Sequence, residues 1–373
     1  MKKTVSIFVS LLIISMLSGC VSSNDKLGNL NLENTKYIEN TPNTGKWQKI
    51  TFAFPHLCEQ SSDRIVNMAA AYGAGEIKKD DIMMQLLDNP EENVPLSDYD
   101  KYKTDVYEEF PFSHMFYRTD DIYIEVQGAT GGMIELDNRK NVNSILGLDI
   151  KSNAPWRPQF FKTNVASVDL NDESATCILD GKTVKIADAI GNAEKYVLEN
   201  DTMFPKSFGA KVTEAEIYSY KNGNQSLKMC FGYMIDGVLL ENSPIYSIKD
   251  ENGKKYNTYS VRVQIAKLTE NTIDWIWFPV IDGGIELTKE DCEIAISRED
   301  ACKIVSQKLS REYEFNVEEI QLMYAAERVG DGTSCIQPVW RFHITEIKSQ
   351  EYSKLNVYVS ALNGEVQIAE VLE

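Results

Sequence analysis

The chain has 373 residues, 43% of them apolar, and 56 Asp plus Glu against 38 Lys plus Arg, a formal net charge of −18. That length suffices for two or three domains, and that apolar fraction for packed cores. The acidic balance argues against nucleic acid and anionic lipid as partners.

The N-terminus reads first as an address. Lys2 and Lys3 precede an apolar run from Val5 to Met16 that only Ser6, Ser10 and Ser15 interrupt. A spanning helix needs about 20 apolar residues, so this shorter run has the layout of a secretory signal. Its ending, Leu17-Ser18-Gly19-Cys20, resembles the bacterial lipobox. The resemblance implies that residues 1–19 are a lipoprotein signal peptide and that Cys20 carries a diacylglyceryl thioether, its acyl chains of the palmitate type. Two acyl chains give stable anchoring where one is marginal. The expected location is the cell membrane, lipid-anchored and facing outside the cytoplasm. Residues 20–45, rich in Asn, Ser, Thr and Gly, read as a flexible tether.

Residues 46–184 read as an N-terminal α+β domain. KWQKITFAF, with Trp47, Ile50, Phe52 and Phe54, is a strand, and SSDRIVNMAAAY is a helix with Ile65, Met68, Ala69 and Tyr72 on one face. KKDDIMMQLLDNP is expected to be a second short helix, and 91–110 a loop. HMFYRTDDIYIEVQG and MIELDN read as meander strands, and Asp180-Gly181 marks a hairpin turn.

The second half reads as a repeat. IADAIGNAEKYVLEN precedes four strand-like runs: KVTEAEIYSY, SLKMCFGYMIDG, NTYSVRVQIAKL and NTIDWIWFPV. ISREDACKIVSQKLSREY precedes four more: VEEIQLMYAAER, IQPVWRFHITEI, KLNVYVSAL and GEVQIAEVL. Ser297 is a candidate cap for the second helix, with Asp300 three residues on. PVWRFHI and NVYVSALNGEV, carrying Trp340, Asn356–Val359, the turn Asn363-Gly364 and Val366, resemble the PepSY domain, with Ser360 where that family has an acidic residue. YMIDGVLL and SVRVQIA resemble it more loosely. The resemblance implies two helix-plus-antiparallel-sheet modules, 185–285 and 286–373, that regulate other proteins by contact. The expected class is therefore α+β: an N-terminal α+β domain followed by two PepSY-like modules. In VWRFHI, Trp340, Phe342 and Ile344 should face the helix carrying Ala301, Ile304, Val305 and Leu309, while Val339, Arg341 and His343 face solvent.

The residues that carry chemistry show no catalytic pattern. His56, His114 and His343 lack ligand spacing, and HExxH and GxSxG are absent. Gly-rich GATGG (128–132) lacks the Lys and helix of a P-loop. Besides Cys20 there are Cys58, Cys177, Cys230, Cys292, Cys302 and Cys335, none in CxxC spacing, which read mostly as free thiols, Cys230 and Cys302 as buried ones. Trp275 and Trp277 share one strand face; buried they are core, exposed they make a peptide or glycan platform. The expectation is a non-enzymatic lipoprotein without metal or cofactor. It binds the membrane through the lipid on Cys20 and an envelope protein or peptide, but no nucleic acid. A solute-, peptide- or glycan-binding lipoprotein is the alternative, and an envelope hydrolase the third reading.

Overall fold

The computed structural model describes residues 26–53, 57–71, 77–86, 89, 91–102, 112–127, 133–148, 156–199, 208–241, 247–249, 255–257, 263–279, 288–309, 314–330, 333–346 and 354–370. Cys20, His56 and the Gly-rich stretch 128–132 lie outside them.

In chain order the first elements are β1 (Lys26–Leu27), β2 (Leu30–Asn31), β3 (Lys36–Glu39), β4 (Trp47–Ala53) and α1 (Leu57–Ala71). Then come β5 (Met83–Leu86), β6 (Asn93–Pro95), α2 (Tyr99–Tyr102), β7 (Phe112–Arg118), β8 (Tyr123–Gln127), β9 (Met133–Asp137), α3 (Arg139–Leu146) and α4 (Pro158–Phe161). The middle holds β10 (Asn164–Ser167), β11 (Thr176–Leu179), β12 (Lys182–Lys185), α5 (Ile186–Glu199), β13 (Gly209–Ser219), β14 (Gln225–Ile235) and β15 (Val238–Leu239). Next are β16 (Ser247–Lys249), β17 (Lys255–Asn257), β18 (Val263–Lys267), β19 (Trp275–Pro279) and β20 (Thr288–Cys292). The chain closes with α6 (Arg298–Lys308), β21 (Phe315–Gly330), β22 (Thr333–Glu346), β23 (Lys354–Ser360) and β24 (Val366–Glu370).

This overturns the expected α+β class. Among the described residues 24 strands stand against six α-helices, and the fold is mostly β. An eleven-stranded sheet runs β10-β13-β14-β18-β19-β9-β8-β7-β5-β6, with β15 beside β14. A nine-stranded sheet runs β1-β2-β21-β22-β23-β24, with β3 on β21 and β4 between β22 and β20. The physical reason lies in strand edges. A helix-plus-four-strand unit leaves unpaired backbone groups at its edge, and N-terminal strands fill them: β9 pairs β19, and β4 pairs β22. The N-terminal half is thus divided between two sheets instead of forming an α+β domain of its own.

Local differences have similar causes. In KKDDIMMQLLDNP, Ile82, Met84 and Leu86 are buried at period two, so in place of the expected helix stand a single 3-10 turn, Lys79–Asp81, and strand β5. Residues 26–39, read as part of a tether, form β1 to β3, and β2 and β3 pair in parallel with β21. Gly28 turns the chain there at φ +63, where a Cβ would strike the Ser306 hydroxyl. That hydroxyl donates to the Leu27 carbonyl at 3.1 Å, tying the arm to α6. The Asp180-Gly181 turn holds as expected, with φ of +48 and +70 between β11 and β12.

The core lies between helices and sheets. Ile65, Met68 and Ala69 of α1, Ile186, Ala189, Ala193 and Val197 of α5, and Ala301, Cys302 and Val305 of α6 are buried in one apolar cluster with residues of both sheets. The two sheets also meet through the backbone: Leu240 bridges to Tyr324, and the Glu241 N–H donates to the Tyr324 carbonyl at 2.7 Å. Ser297 caps α6, its side chain accepting from the Asp300 N–H at 3.1 Å. Among the described residues Cys177, Cys292 and Cys302 are free thiols.

Trp340, Phe342 and Ile344 face α6 as expected and are buried, and the Trp340 indole donates to the Ile296 carbonyl at 2.9 Å. The opposite face corrects the expectation of solvent. Val339 is buried with Met323 and Tyr358. Arg341 is half-buried and pairs with Glu241 at 3.2 Å and Glu319 at 2.5 Å. Its cross-strand neighbours supply carboxylates that the sequence of β22 alone does not show. Trp340→Ala should cost about 3–5 kcal/mol and Arg341→Ala about 1–3 kcal/mol, because two carboxylates lose their cation. His343→Ala should cost about 0.5 kcal/mol or less, as surface sites do. Denaturant unfolding of the full chain measures the ranking; His343→Ala as damaging as Trp340→Ala would contradict it.

Candidate functional site

Period-two alternation puts charged and aromatic side chains on one face of β8, β9 and β19. Tyr123 and Glu125 alternate with apolar Ile124 and Val126 in β8. Glu135 and Asp137 share one face of β9, and Trp275 and Trp277 one face of β19. Register then stacks them. Tyr123 and Trp275 both sit opposite Asp137, and Glu125 and Trp277 opposite Glu135. The reverse face carries Ile124, Leu136 and Ile276 into the main core.

A roof covers the charged face. Val142 and Leu146 of α3 and Trp156 pack with Trp275 in a second apolar cluster, and half-buried Trp277 leans on it. Asn138 caps α3, accepting from the Asn141 N–H at 3.3 Å. At its far side the Asn141 amide donates to Asp274 at 2.7 Å, and Asp274 also accepts from the Leu268 N–H at 2.7 Å. This fully buried carboxylate ties the roof helix to the β18–β19 turn.

Glu135 and Asp137, 1% and 0% exposed, are the centre of the arrangement. Arg157 grips Glu135 with two nitrogens, Nε to Oε1 at 3.0 Å and Nη2 to Oε2 at 2.8 Å. The Trp275 indole donates to the same carboxylate at 2.8 Å. Asp137 accepts from the Trp156 N–H at 2.7 Å and lies 3.5 Å from the Arg139 guanidinium. Arg139 in turn sits 4.7 Å from the centre of the Tyr123 ring. The Tyr123 hydroxyl donates to Glu125 at 2.6 Å, and Glu125 lies 3.8 Å from the half-buried His114. Burial dominates the titration. It pushes Asp137 up to about 7 against the opposing pull of Arg139 and the Trp156 N–H. Burial likewise raises Glu135 despite Arg157, and it raises Asp274.

Of the two tryptophans read as core if buried and as a binding platform if exposed, the structure places Trp275 inside as a hydrogen-bonded roof contact and Trp277 half-buried beside it. Sequence reasoning missed Glu135, Asp137, Arg139, Arg157 and Asp274. The signal that points to them is the alternation in YIEVQ and MIELD, which puts carboxylates on one face of successive strands. Among the described residues, no group of three His, Cys, Asp or Glu side chains is placed to hold a metal ion. The arrangement is a layer of buried carboxylates met by donors from the residues that cover it. Its donors lock the roof to the sheet.

No protein-family model matches the chain, and neither does any curated protein. Among solved structures it is similar to an uncharacterized protein from Eubacterium rectale ATCC 33656, at 14% identity and a TM-score of 0.44 over 91% of each chain. A likeness at that score carries no argument about fold or function.

The titration of Asp137 has a sign that can be measured. Its folded pKa, about 7, lies above its ordinary value of 3.8, so the folded chain binds the extra proton between those values. Its contribution to stability is present below about pH 4 and is lost as pH rises toward 7. The difference in unfolding free energy between wild type and Asp137→Asn should therefore change across that window, with a slope approaching about 1.4 kcal/mol per pH unit. Equal pH profiles for the two proteins would contradict the burial of this group.

Proposed function

We propose that this chain is a lipid-anchored protein of the outer face of the cell membrane that works by contact with another protein rather than by catalysis. The observation that carries the reading is the open edge of the eleven-stranded sheet. Among the described residues β10 pairs with β13 on one side only, and all four of its residues are exposed. Around it stand Phe160, 70% exposed, and Phe161, Val165 and Leu170, each 40% exposed. Proteins usually blunt such an edge with charge, proline or a covering element. Unpaired backbone groups flanked by apolar side chains are instead what strand addition by a partner uses. Scattered single apolar residues need no explanation, but a group along one edge does.

The anchored part of the reading rests on the basic head, the short apolar run and Leu17-Ser18-Gly19-Cys20. A thioether-linked diacylglycerol on Cys20 holds the folded chain at the surface. There, confinement raises the effective concentration of any partner anchored in the same way.

Two measurements test the two parts. Cys20→Ala should leave the chain unprocessed or move it from the detergent phase to the aqueous phase; an unchanged partition would contradict the anchor. A photo-reactive amino acid at Val165, illuminated in intact envelopes, should yield a protein adduct; a chain that stays uncrosslinked would contradict the contact reading.

A further inference from the structure

The N-terminal arm is fastened along its length. Lys26 pairs with Asn31, and Asn31 pairs in turn with Asn316 of β21. Leu30 is fully buried in the main apolar cluster. The Asn29 amide donates to the Leu309 carbonyl at 3.4 Å, and the Thr35 hydroxyl to the Val317 carbonyl at 2.8 Å. Farther on, the Asn40 amide donates to the Leu322 carbonyl at 2.7 Å and the Asn43 N–H to the Asp236 carbonyl at 2.8 Å. Peeling this arm away would expose Leu30 and break each of these bonds.

The arm also has a direction. Leu30 lies opposite Phe315, and Ile38 opposite Gln321. Ile50 lies opposite Ile336, which pairs with Ala326. From Leu30 to Ala53 the chain therefore runs beside β21, from its first residue toward its last. Its start is at the end of the nine-stranded sheet where β21 begins and α6 finishes. Six peptide steps separate Lys26 from Cys20, and so few span at most about 20 Å.

We infer that the chain is held with this end of the nine-stranded sheet toward the bilayer surface. This rests on the reading of Cys20 as the anchor and names the surface that meets the lipid. The opposite end lies beyond the length of the tie. Glu327 is opposite Cys335, Cys335 opposite Thr51, and Thr51 opposite Thr288. Phe315 to Glu327 covers about 40 Å of strand, at about 3.3 Å per residue. In every orientation the end at Leu30 stays near the lipid, whereas Thr288 reaches it only if the sheet lies flat. A net charge of −18 opposes lying flat on an anionic bilayer. The end that carries β4 and β20 thus points away from the membrane.

The test uses the full lipidated chain in vesicles of phosphatidylcholine and phosphatidylglycerol, with an energy acceptor on the outer headgroups. A fluorescent amino acid is placed at exposed Lys308, at the end of α6, or at exposed Thr288. Transfer from position 308 should exceed transfer from position 288 several-fold. Inserting about twenty Gly and Ser residues between Ser23 and Asn24 should bring the two values together, because such a segment reaches roughly 25 Å on average and lets the chain turn. Equal or reversed transfer in a vesicle-bound chain would overturn this inference and leave the anchor standing, and so would a difference that survives the insertion unchanged. A chain that carries no lipid on Cys20 and does not float with the vesicles would overturn the anchor, and this inference with it.

Discussion

The pairing of β9 with β19 is the contact on which the rest of the structure depends. It joins strands about as far apart as Glu135 and Trp275, which are 140 residues apart in sequence. Without it the eleven-stranded sheet falls into two pieces, each with an open edge. Closing so long a loop costs entropy that grows only slowly with length, but contacts this distant slow folding. Hydrogen bonds between Met133–Asp137 and Trp275–Pro279, and the Trp275 indole on Glu135, offset that cost. The roof follows from the same pairing, because α3 leaves β9 directly and its Asn141 reaches back to Asp274.

Buried charge is used here as a fastener. Removing one member of such a set leaves another charge buried and unpaired, which costs more than the pair itself contributes. Glu135 and Asp137 accept from the adjacent Arg157 side chain and Trp156 N–H, and Asp274 accepts from Asn141 of α3. The arrangement therefore fixes which segment lies over which strand, where apolar packing alone would allow sliding. Arg341 plays a comparable part on the other sheet, where Glu241 reaches it from beyond β15 and Glu319 from β21. The charged side chains thus hold the two sheets and their covers in one register, while the apolar faces supply the bulk of the stabilisation.

Much of the strand layout is legible in the sequence because alternation is a local property. SLKMCFGYMIDG and VWRFHI declare their buried faces, and Asp180-Gly181 declares its turn. The helix stripes of Ile186, Ala189, Ala193 and Val197, and of Ala301 and Val305, are equally plain. What the sequence hides is partnership. Residues 26–39 look like a polar tether because nothing in their composition announces parallel pairing with β21. Met83–Leu86 look helical because Met and Leu favour helices, although Ile82, Met84 and Leu86 keep the period of a strand. The helix α3 escapes notice behind Arg139 and Lys140, although Asn138 and the left-handed Gly147 mark both its ends. The charged site escapes for the same reason as the sheets. Glu125, Glu135 and Asp137 look like a solvated strand face until register and roof are known.

The central claim is that the N-terminal strands and the strands of the first repeat unit form one continuous sheet. Native-state hydrogen exchange, read segment by segment by mass spectrometry, tests it most directly, because amides in one cooperative unit open with the same free energy. The account predicts that residues 133–137 and 275–279 show the same high protection and lose it together as denaturant is raised. Exchange of 112–137 at a distinctly lower opening free energy than 263–279 would show two separate units, and the continuous sheet would have to be abandoned.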